Sequence, residues 1–184
     1  MCEIETARLI LKSWEKKDAA ALYAYAKDPD VGPHAGWKPH SSVSESLKII
    51  KTMFIPNDVW AITIKGSGKI IGSVGLEPDK RRPGINSREM GYSLAKEYWG
   101  NGVMTEAAKA VIDFGFSVYG LDVISICTGP SNKRSQGVIG KCGFVYEGTE
   151  RKVYVTWDGT VRDSKCYSIL KEEWEQSKGA AQHG

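Results

Sequence analysis

The sequence predicts an α+β domain in which helices cover both faces of a twisted, mostly antiparallel sheet that contains one parallel pair of strands. Two pairs of extended segments, within 59–76 and 144–170, are each joined by a short turn that contains glycine, as in antiparallel hairpins. A helical pattern at 102–119 lies between two further extended segments and fits a crossover between parallel strands. These observations together favour one mixed sheet.

The first third of the chain is expected to form one strand and two helices. Residues 8–14 alternate between apolar and polar side chains, as in a half-buried strand. Residues 16–27 carry apolar side chains at helical spacing, and Pro29 ends that helix. The second helix, 42–54, begins with a Ser-x-x-Glu capping box and has its apolar residues on one face. The segment 31–41 between them is expected to be a loop.

The rest of the chain is expected to combine hairpins with two more helices. Strands are predicted at 59–64, 70–76, 87–95, 122–128, 144–156 and 161–170, and helices at 102–119 and 132–142. The connection Lys80-Arg81-Arg82 is most simply a solvated hairpin tip. The sequence contains no internal repeat.

Length and charge indicate an ordinary globular protein. The chain has 184 residues, enough for one domain with a substantial core, which we expect at 1–175 with a frayed tail at 176–184. A net charge of +3, from 25 basic and 22 acidic residues, is too small to argue for a nucleic-acid partner. No apolar run reaches membrane-spanning length and the N-terminus does not resemble a secretory signal. We therefore expect a cytoplasmic protein without a membrane partner.

The cysteines and histidines show no metal-binding or disulfide pattern. The four cysteines form no Cys-x-x-Cys pair, and the three histidines give no His-Glu-x-x-His motif. Cys142 and Cys166 stand in apolar surroundings, so we interpret them as buried thiols rather than as nucleophiles. We expect no metal site.

A glycine-rich turn leads from an extended segment into the helix at 102–119. The sequence Gly100-Asn101-Gly102 at this turn leaves backbone N–H groups at the helix start without intrahelical partners. Such N–H groups, with the positive end of the helix dipole behind them, suit a phosphate, and glycines let a bulky diphosphate approach. A Gly-x-Gly before a helix is, however, more often only a tight turn. The turn alone therefore does not identify a phosphate site, and the neighbouring motifs have to be considered with it.

Taken in order, the motifs of the chain form a pattern found in one enzyme superfamily. The segments that carry it are 6–11, 91–94, 99–107, 132–135, 141–148 and 167–170. This pattern resembles the GNAT superfamily of acetyl-CoA-dependent N-acetyltransferases, and within it the branch of the ribosomal-protein N-terminal acetyltransferases. The resemblance spans about residues 5–175, and it implies the GNAT fold and acetyl-CoA as the acyl donor.

The resemblance implies that acetyl-CoA lies along the strand at 87–95 and on the loop that follows it. Tyr92, Ser93 and Leu94 would contact the pantetheine arm. The residues that would hold the pyrophosphate are Trp99, Gly100, Asn101, Gly102, Val103, Met104 and Thr105. Relatives often have Gln or Arg where this chain has Glu97, and we expect that carboxylate to turn away from the phosphates.

Two more residues complete the implied donor site. Asn132 would brace the pantetheine or cap its helix, two compatible roles. Arg134 would supply positive charge to the phosphates, as Lys133 or Lys141 also could. The alternative is that these three are ordinary exposed helix charges.

The implied catalytic residues are Glu89 and Ser135. Glu89 would accept the proton of the attacking amine, directly or through water, although it could equally be a strand-end glutamate paired with Arg88 or a hairpin lysine. Many relatives have a tyrosine that protonates the leaving thiolate where this chain has Ile139. The ribosomal-protein branch has a serine at the position of Ser135, whose hydroxyl can donate a hydrogen bond to the thiolate.

The acceptor side is the least readable part of the sequence. The resemblance implies that His34, Trp37 and Tyr154 contact the acceptor, although Trp37 could instead be an aromatic plug between helices. The expected reaction moves an acetyl group to a primary amine, and the branch favours a protein N-terminal α-amine. A small amine, such as a polyamine, an amino acid or an aminoglycoside, and a non-catalytic acyl-CoA sensor are the alternatives. A homodimer is a possible assembly.

Overall fold

The chain folds around one eight-stranded sheet with helices on both faces. The computed structural model describes the backbone of residues 2–182 and the side chains of residues 2–179. The strands are β1 (Ile4–Glu5), β2 (Leu9–Ser13), β3 (Val59–Ile64), β4 (Ile70–Pro78), β5 (Ser87–Leu94), β6 (Val123–Thr128), β7 (Val145–Val155) and β8 (Val161–Leu170). The α-helices are α1 (Ala19–Ala26), α2 (Gly32–Ala35), α3 (Val43–Ile49), α4 (Val103–Ser117), α5 (Lys133–Lys141) and α6 (Lys171–Gln182).

The strands lie in the order β1-β2-β3-β4-β5-β6-β8-β7. Every neighbouring pair is antiparallel except β5 and β6, which are parallel. That pairing is short, since it joins only Ser87–Glu89 to Val123–Ser125. The predicted fold class, a mostly antiparallel mixed sheet with one parallel pair, is confirmed.

Two separate cores show that the sheet is covered on both faces. Along β3, Trp60 and Ile62 belong to the larger core, whereas Val59 and Ala61 belong to the smaller one. Because successive side chains of a strand point to opposite faces, the two cores lie on opposite sides of the sheet. The larger core contains the buried stripe of α4, and the smaller one contains α1 and the π-helical turn Ile50–Phe54 that follows α3.

Three elements were not predicted. β1 has only two residues and α2 only four, both too short to leave a periodic pattern. α6 runs to Gln182, so the segment expected to be frayed is helical as far as it is described; 183 and 184 lie outside the described residues. α6 docks through Trp174, whose ring stacks on Phe116 at 5.3 Å and whose indole N–H donates to Asp113 at 2.6 Å. A single large apolar residue does not produce a helical periodicity in the sequence, so α6 could not be predicted.

Among the helices of the described residues, none is long and apolar enough to cross a lipid bilayer.

Candidate active site

The short parallel pairing opens a cavity between β5 and β6. After Glu89 the two strands no longer pair, and the space between them has a volume of about 430 Å³. Met90 to Leu94 line one wall and Ile126 to Thr128 line the other. The loop at 99–105 and the first turn of α5 complete the cavity. The part of β5 beyond Glu89 therefore has one edge free of a strand partner and facing the cavity.

The glycine turn at one end of the cavity has the geometry of an anion site. Gly100 and Gly102 have φ values of 78° and 73°, the left-handed region that side chains rarely adopt. Gly102 is the N-cap of α4 and no side chain caps this helix. The N–H groups of the first helical turn, Val103 to Thr105, therefore lack intrahelical acceptors, and all three residues line the cavity. This arrangement suits a diphosphate.

Arg8 braces this turn. It belongs to the segment 6–11, which carries part of the resemblance but to which the sequence analysis assigned no role. Its Nη1 donates to the Asn101 carbonyl at 3.1 Å, and its Nε lies 2.6 Å from Glu106. Thr6 donates to the same carboxylate at 2.6 Å. Burial alone would raise the pKa of Glu106, but the hydrogen bonds from Thr6 and Arg8 hold it below its usual value. Glu106 is thus an ionised anchor for Arg8, whose positive charge lies 3.7 Å from the Cβ position of Gly102.

Basic side chains gather near the glycine turn, and the acidic one just before it lies outside the cavity wall. Glu97 pairs with Lys69 at 3.3 Å and does not line the cavity, as expected. Arg134 does line it, with its guanidinium 4.5 Å from the ring centroid of Trp99. Lys133 and Lys141 also line the cavity. The Trp99 stack positions Arg134 beside the turn.

Two hydroxyl groups meet at the start of α5. The Tyr92 hydroxyl lies 3.0 Å from Ser135 Oγ, and both residues line the cavity. Burial raises the pKa of Tyr92, although its hydrogen bond to Ser135 opposes the shift, so the phenol stays protonated at neutral pH. Ile139 is 1% exposed and belongs to the core. A phenol from β5 therefore lies beside the first turn of α5, while position 139 of that helix is buried.

Asn132 caps α5 and ties it to α2. Its side-chain oxygen accepts from the Ser135 N–H at 3.1 Å, and its amide donates to the His34 carbonyl at 3.1 Å. His34 lies on the cavity wall, with its ring 6.4 Å from that of Trp99 in an edge-to-face arrangement. Asn132 therefore fixes both the helix that carries Ser135 and the short helix above the cavity.

Glu89 stands one residue before the cavity wall, at the point where β5 and β6 separate. Burial raises the pKa of its carboxyl, Arg81 opposes that shift, and the nearby carboxylates of Asp79, Glu77 and Glu150 add to it. Its ion-pair partner is Arg81 at 3.6 Å, rather than Arg88 or a hairpin lysine. A carboxylate with a raised pKa at this position can accept a proton.

The expectation of a solvated hairpin tip at 80–82 is wrong for Arg81. Its guanidinium contacts the thiol of Cys127 and lies 2.9 Å from Cys166 Sγ and 3.3 Å from Ser125 Oγ. Cys127 and Cys166 are direct partners across β6 and β8, with their sulfur atoms 2.7 Å apart. This cluster was missed because the sequence does not reveal which residues of distant strands face each other.

Arg82 is also drawn in from the tip. It pairs with Asp79 at 3.0 Å and donates to Glu147 at 2.5 Å. The tip is folded back onto β6, β7 and β8 through these two arginines and covers the side of the sheet next to Glu89.

The acceptor-side residues are only partly brought together. Trp37 packs against the smaller core, with its ring 5.1 Å from that of His40, and does not line the cavity. The Tyr154 hydroxyl is 3.5 Å from the Gly36 carbonyl, at the end of α2. Tyr154 also lies outside the cavity wall, but Arg162, which stacks on its ring, is part of that wall. Sequence reasoning gave no role to Arg162.

Most of the residues named from the sequence line this one cavity. Those on its wall are His34, Tyr92, Ser93, Leu94, Trp99, Gly100, Gly102, Val103, Met104, Thr105, Asn132, Arg134 and Ser135. Those that adjoin it or lie apart are Glu89, Asn101, Trp37 and Tyr154. No group of three or more His, Cys, Asp or Glu side chains within the described part of the chain is placed to hold a metal ion.

Comparisons with known proteins agree with this geometry. The YoaA protein of Bacillus subtilis, named as an uncharacterized N-acetyltransferase, is 30% identical over 173 residues, which cover 91% of this chain and 96% of that protein. A ribosomal protein uS5-alanine N-acetyltransferase of Escherichia coli is 32% identical over 85 residues, covering 46% of this chain and 43% of that protein.

A solved structure and a family model extend the agreement to the whole fold. The crystal structure of a GNAT-family acetyltransferase from Bacillus anthracis superimposes with a TM-score of 0.83 at 24% identity, covering 94% of this chain and all of that one. The family model described as an acetyltransferase (GNAT) domain matches residues 8–145. The chain therefore belongs to the GNAT family and is an N-acetyltransferase.

Proposed function

We propose that the cavity between β5 and β6 binds acetyl-CoA and that the enzyme transfers its acetyl group to the N-terminal α-amine of a protein. The observation that carries the donor assignment is the left-handed Gly100–Gly102 turn, which places the free N–H groups of α4 at one end of the cavity. The unpaired edge of β5 leads from this end toward Glu89. A pantetheine arm fits along that edge by bonding backbone groups of β5 near Tyr92, whereas the Leu94 carbonyl already accepts from the Trp99 indole N–H at 2.8 Å.

The reaction is a direct transfer between two bound substrates. The amine nitrogen attacks the thioester carbonyl, a C–N bond forms, and the C–S bond breaks. The proton of the amine passes to Glu89, directly or through water. The leaving thiolate accepts hydrogen bonds from Ser135 and Tyr92, whose hydroxyls lie 3.0 Å apart. The thiolate then takes a proton and leaves as coenzyme A.

The acceptor assignment is supported by charge and by similarity. Arg81 pairs with Asp79, Glu89 and Glu150, and Glu77 faces Glu89 across β4 and β5. These four acidic groups outnumber the nearby basic groups Lys80, Arg81 and Arg82, and the excess of negative charge attracts an ammonium group. The similarity to the uS5-alanine N-acetyltransferase concerns a protein that, by its name, acts on an alanine of a ribosomal protein. A protein α-amine is therefore the acceptor that we favour.

The test is an assay of thiol release from acetyl-CoA in the presence of peptides with free N-termini, the same peptides with blocked N-termini, and small amines. We expect turnover with free N-termini and none with blocked ones. If kcat/KM is higher for polyamines or aminoglycosides than for every peptide, the acceptor is a small amine and not a protein N-terminus. Tight binding of acetyl-CoA without turnover on any amine would make the protein a sensor.

A further inference from the structure

Arg162, the second residue of β8, is held in a fixed position on the cavity wall. Its guanidinium carbon lies 4.6 Å from the ring centroid of Tyr154, its partner across the β7–β8 hairpin. Stacking of this kind orients the flat guanidinium and leaves its N–H groups free to bind a ligand.

Bare backbone lies on another side of the guanidinium. A Cβ atom built on Gly129 would be only 2.0 Å from Arg162 Nη1, so the arginine fits here only because residue 129 has no side chain. Gly129 directly follows β6, between Thr128 and Asn132, which both line the cavity. The glycine and the tyrosine together confine Arg162 to the cavity.

The guanidinium of Arg162 is not part of an ion pair among the side chains that the structure describes. Within residues 2–179 no carboxylate pairs with it, and its buried Nε has no hydrogen-bond partner. Arg8, Arg81 and Arg82, by contrast, each pair with a carboxylate. A confined and partly desolvated guanidinium without an acceptor costs free energy, and an anionic ligand relieves that cost.

Arg162 lies on the side of the cavity that we assign to the acceptor. It belongs to the β7–β8 hairpin, whereas the proposed phosphate site is built from α4 and α5. Cys127, two residues before Gly129, contacts Arg81, the ion-pair partner of Glu89. Two residues of extended backbone span about 7 Å. Arg162 therefore contacts the chain about two residues beyond the point where the Arg81 cluster contacts β6.

We propose that Arg162 binds a carboxylate of the acceptor, and that the enzyme thereby selects amines that also carry an acidic group. This inference rests on the proposed function. Such an acceptor presents its ammonium to Glu89 and its carboxylate to the guanidinium, which can hold it through two parallel hydrogen bonds. The carboxylate belongs either to Asp or Glu at the first or second position of a protein N-terminus, or to a small amino acid.

The kinetic test uses acceptors that differ only by a carboxylate. Peptides with Glu or Gln at the first or second position, and free glutamate and glutamine, are assayed with the wild type, Arg162→Met and Arg151→Met. Arg151 is an exposed arginine of the same hairpin and serves as the matched control. We expect the wild type and Arg151→Met to prefer the Glu acceptor by about 10- to 100-fold in kcat/KM, and Arg162→Met to lose that preference. If the Glu peptides have the higher kcat/KM, the carboxylate belongs to a protein N-terminus. If free glutamate has the higher value, it belongs to a small amino acid.

Binding without turnover separates this inference from the proposed function. The same peptides and amino acids are titrated by calorimetry into protein saturated with coenzyme A. If no amine is acetylated but the Glu ligand binds more tightly in an Arg162-dependent way, the proposed function fails and the inference stands. Equal binding and equal use of Glu and Gln acceptors overturn the inference. So does a loss of acetyl-CoA affinity in Arg162→Met with an unchanged acceptor preference.

Discussion

The two halves of the cavity are built from different parts of the protein. The proposed donor half consists of the loop 99–105 and the first turns of α4 and α5, and it offers mainly backbone N–H groups held by two glycines. The proposed acceptor half consists of α2 and Arg162 on the cavity wall, with the hairpin tip around Arg81 adjoining it, and it offers side-chain charges. A backbone site binds what every reaction of the enzyme shares, whereas a side-chain site can change its ligand by single substitutions.

This difference matches the two tasks of the enzyme. The donor is one molecule, and a turn that needs glycine in the left-handed region fits one diphosphate geometry. The acceptor has to be recognised by its charge and size, which single side chains such as Arg162 can adjust. Damage to the donor half should therefore act on all acceptors alike, and damage to the acceptor half should discriminate between them.

The largest effect is expected from Glu89→Gln, which removes the proposed base at the border of the two halves. Loss of a general base lowers kcat by about 100- to 10,000-fold, and the loss should be greatest at low pH, where the free amine is scarce. Steady-state kinetics across pH measure it. The matched control is Glu77→Gln, because Glu77 faces Glu89 across β4 and β5 and its pKa is likewise raised by burial. An equal loss in both variants would remove the special role of Glu89.

Gly102→Ala tests the donor half. Alanine in the left-handed region costs about 1–2 kcal/mol, so acetyl-CoA affinity should fall by about 5- to 30-fold if binding requires that backbone. The loss should be the same with every acceptor. Gly66→Ala is the control, since Gly66 has φ 81° in the β3–β4 turn with nothing near its Cβ position. Gly66→Ala should lower the free energy of unfolding by a similar amount but leave the affinity for acetyl-CoA unchanged. Calorimetry measures both quantities in both variants.

Ser135→Ala and Tyr92→Phe test the hydroxyl pair that connects the halves. Each should lower kcat by about 10-fold while acetyl-CoA affinity stays nearly unchanged, because the hydrogen bonds form to the developing thiolate. The double variant should be little worse than either single one, since the two groups act as a unit. A loss of affinity without a loss of kcat would make both hydroxyls binding groups.

The smallest expected effects are shifts of the pH profile of kcat that follow from substitutions around Glu89. The base must be deprotonated, so kcat falls as the pH decreases through the pKa of Glu89, which burial raises above its usual value. Because Glu77 adds to that shift and Arg81 opposes it, Glu77→Gln should move the limb to lower pH and Arg81→Met to higher pH. Opposite directions in the kcat profile would mean that another group titrates.

The same contrast explains what could be predicted from the sequence. The donor half depends on local patterns, namely a strand, a Gly-x-Gly turn and a helix start, and the structure places the turn where those patterns put it. The β3–β4 and β7–β8 hairpins and the single parallel pair also follow from short turns and one crossover. These features depend on residues close to one another in the chain.

The acceptor half depends on register between distant strands, which no local pattern encodes. Arg81 reaches Cys127 and Cys166 only because β6 and β8 pair in one register, and Arg162 fits only because Gly129 lies opposite. The sequence suggested that Trp37 binds the acceptor, but its side chain packs against the smaller core. Docking of α6 through Trp174 is likewise a tertiary effect.

The most direct test of the backbone-built donor site compares two ligands on two proteins. Acetyl-CoA and acetyl-pantetheine, which lacks the pyrophosphate, are titrated by calorimetry into the wild type and Gly102→Ala. We predict that the wild type binds acetyl-CoA far more tightly, and that the substitution weakens acetyl-CoA but leaves acetyl-pantetheine unchanged. An equal loss for both ligands, or no loss for either, would contradict a diphosphate held by the N–H groups behind Gly102.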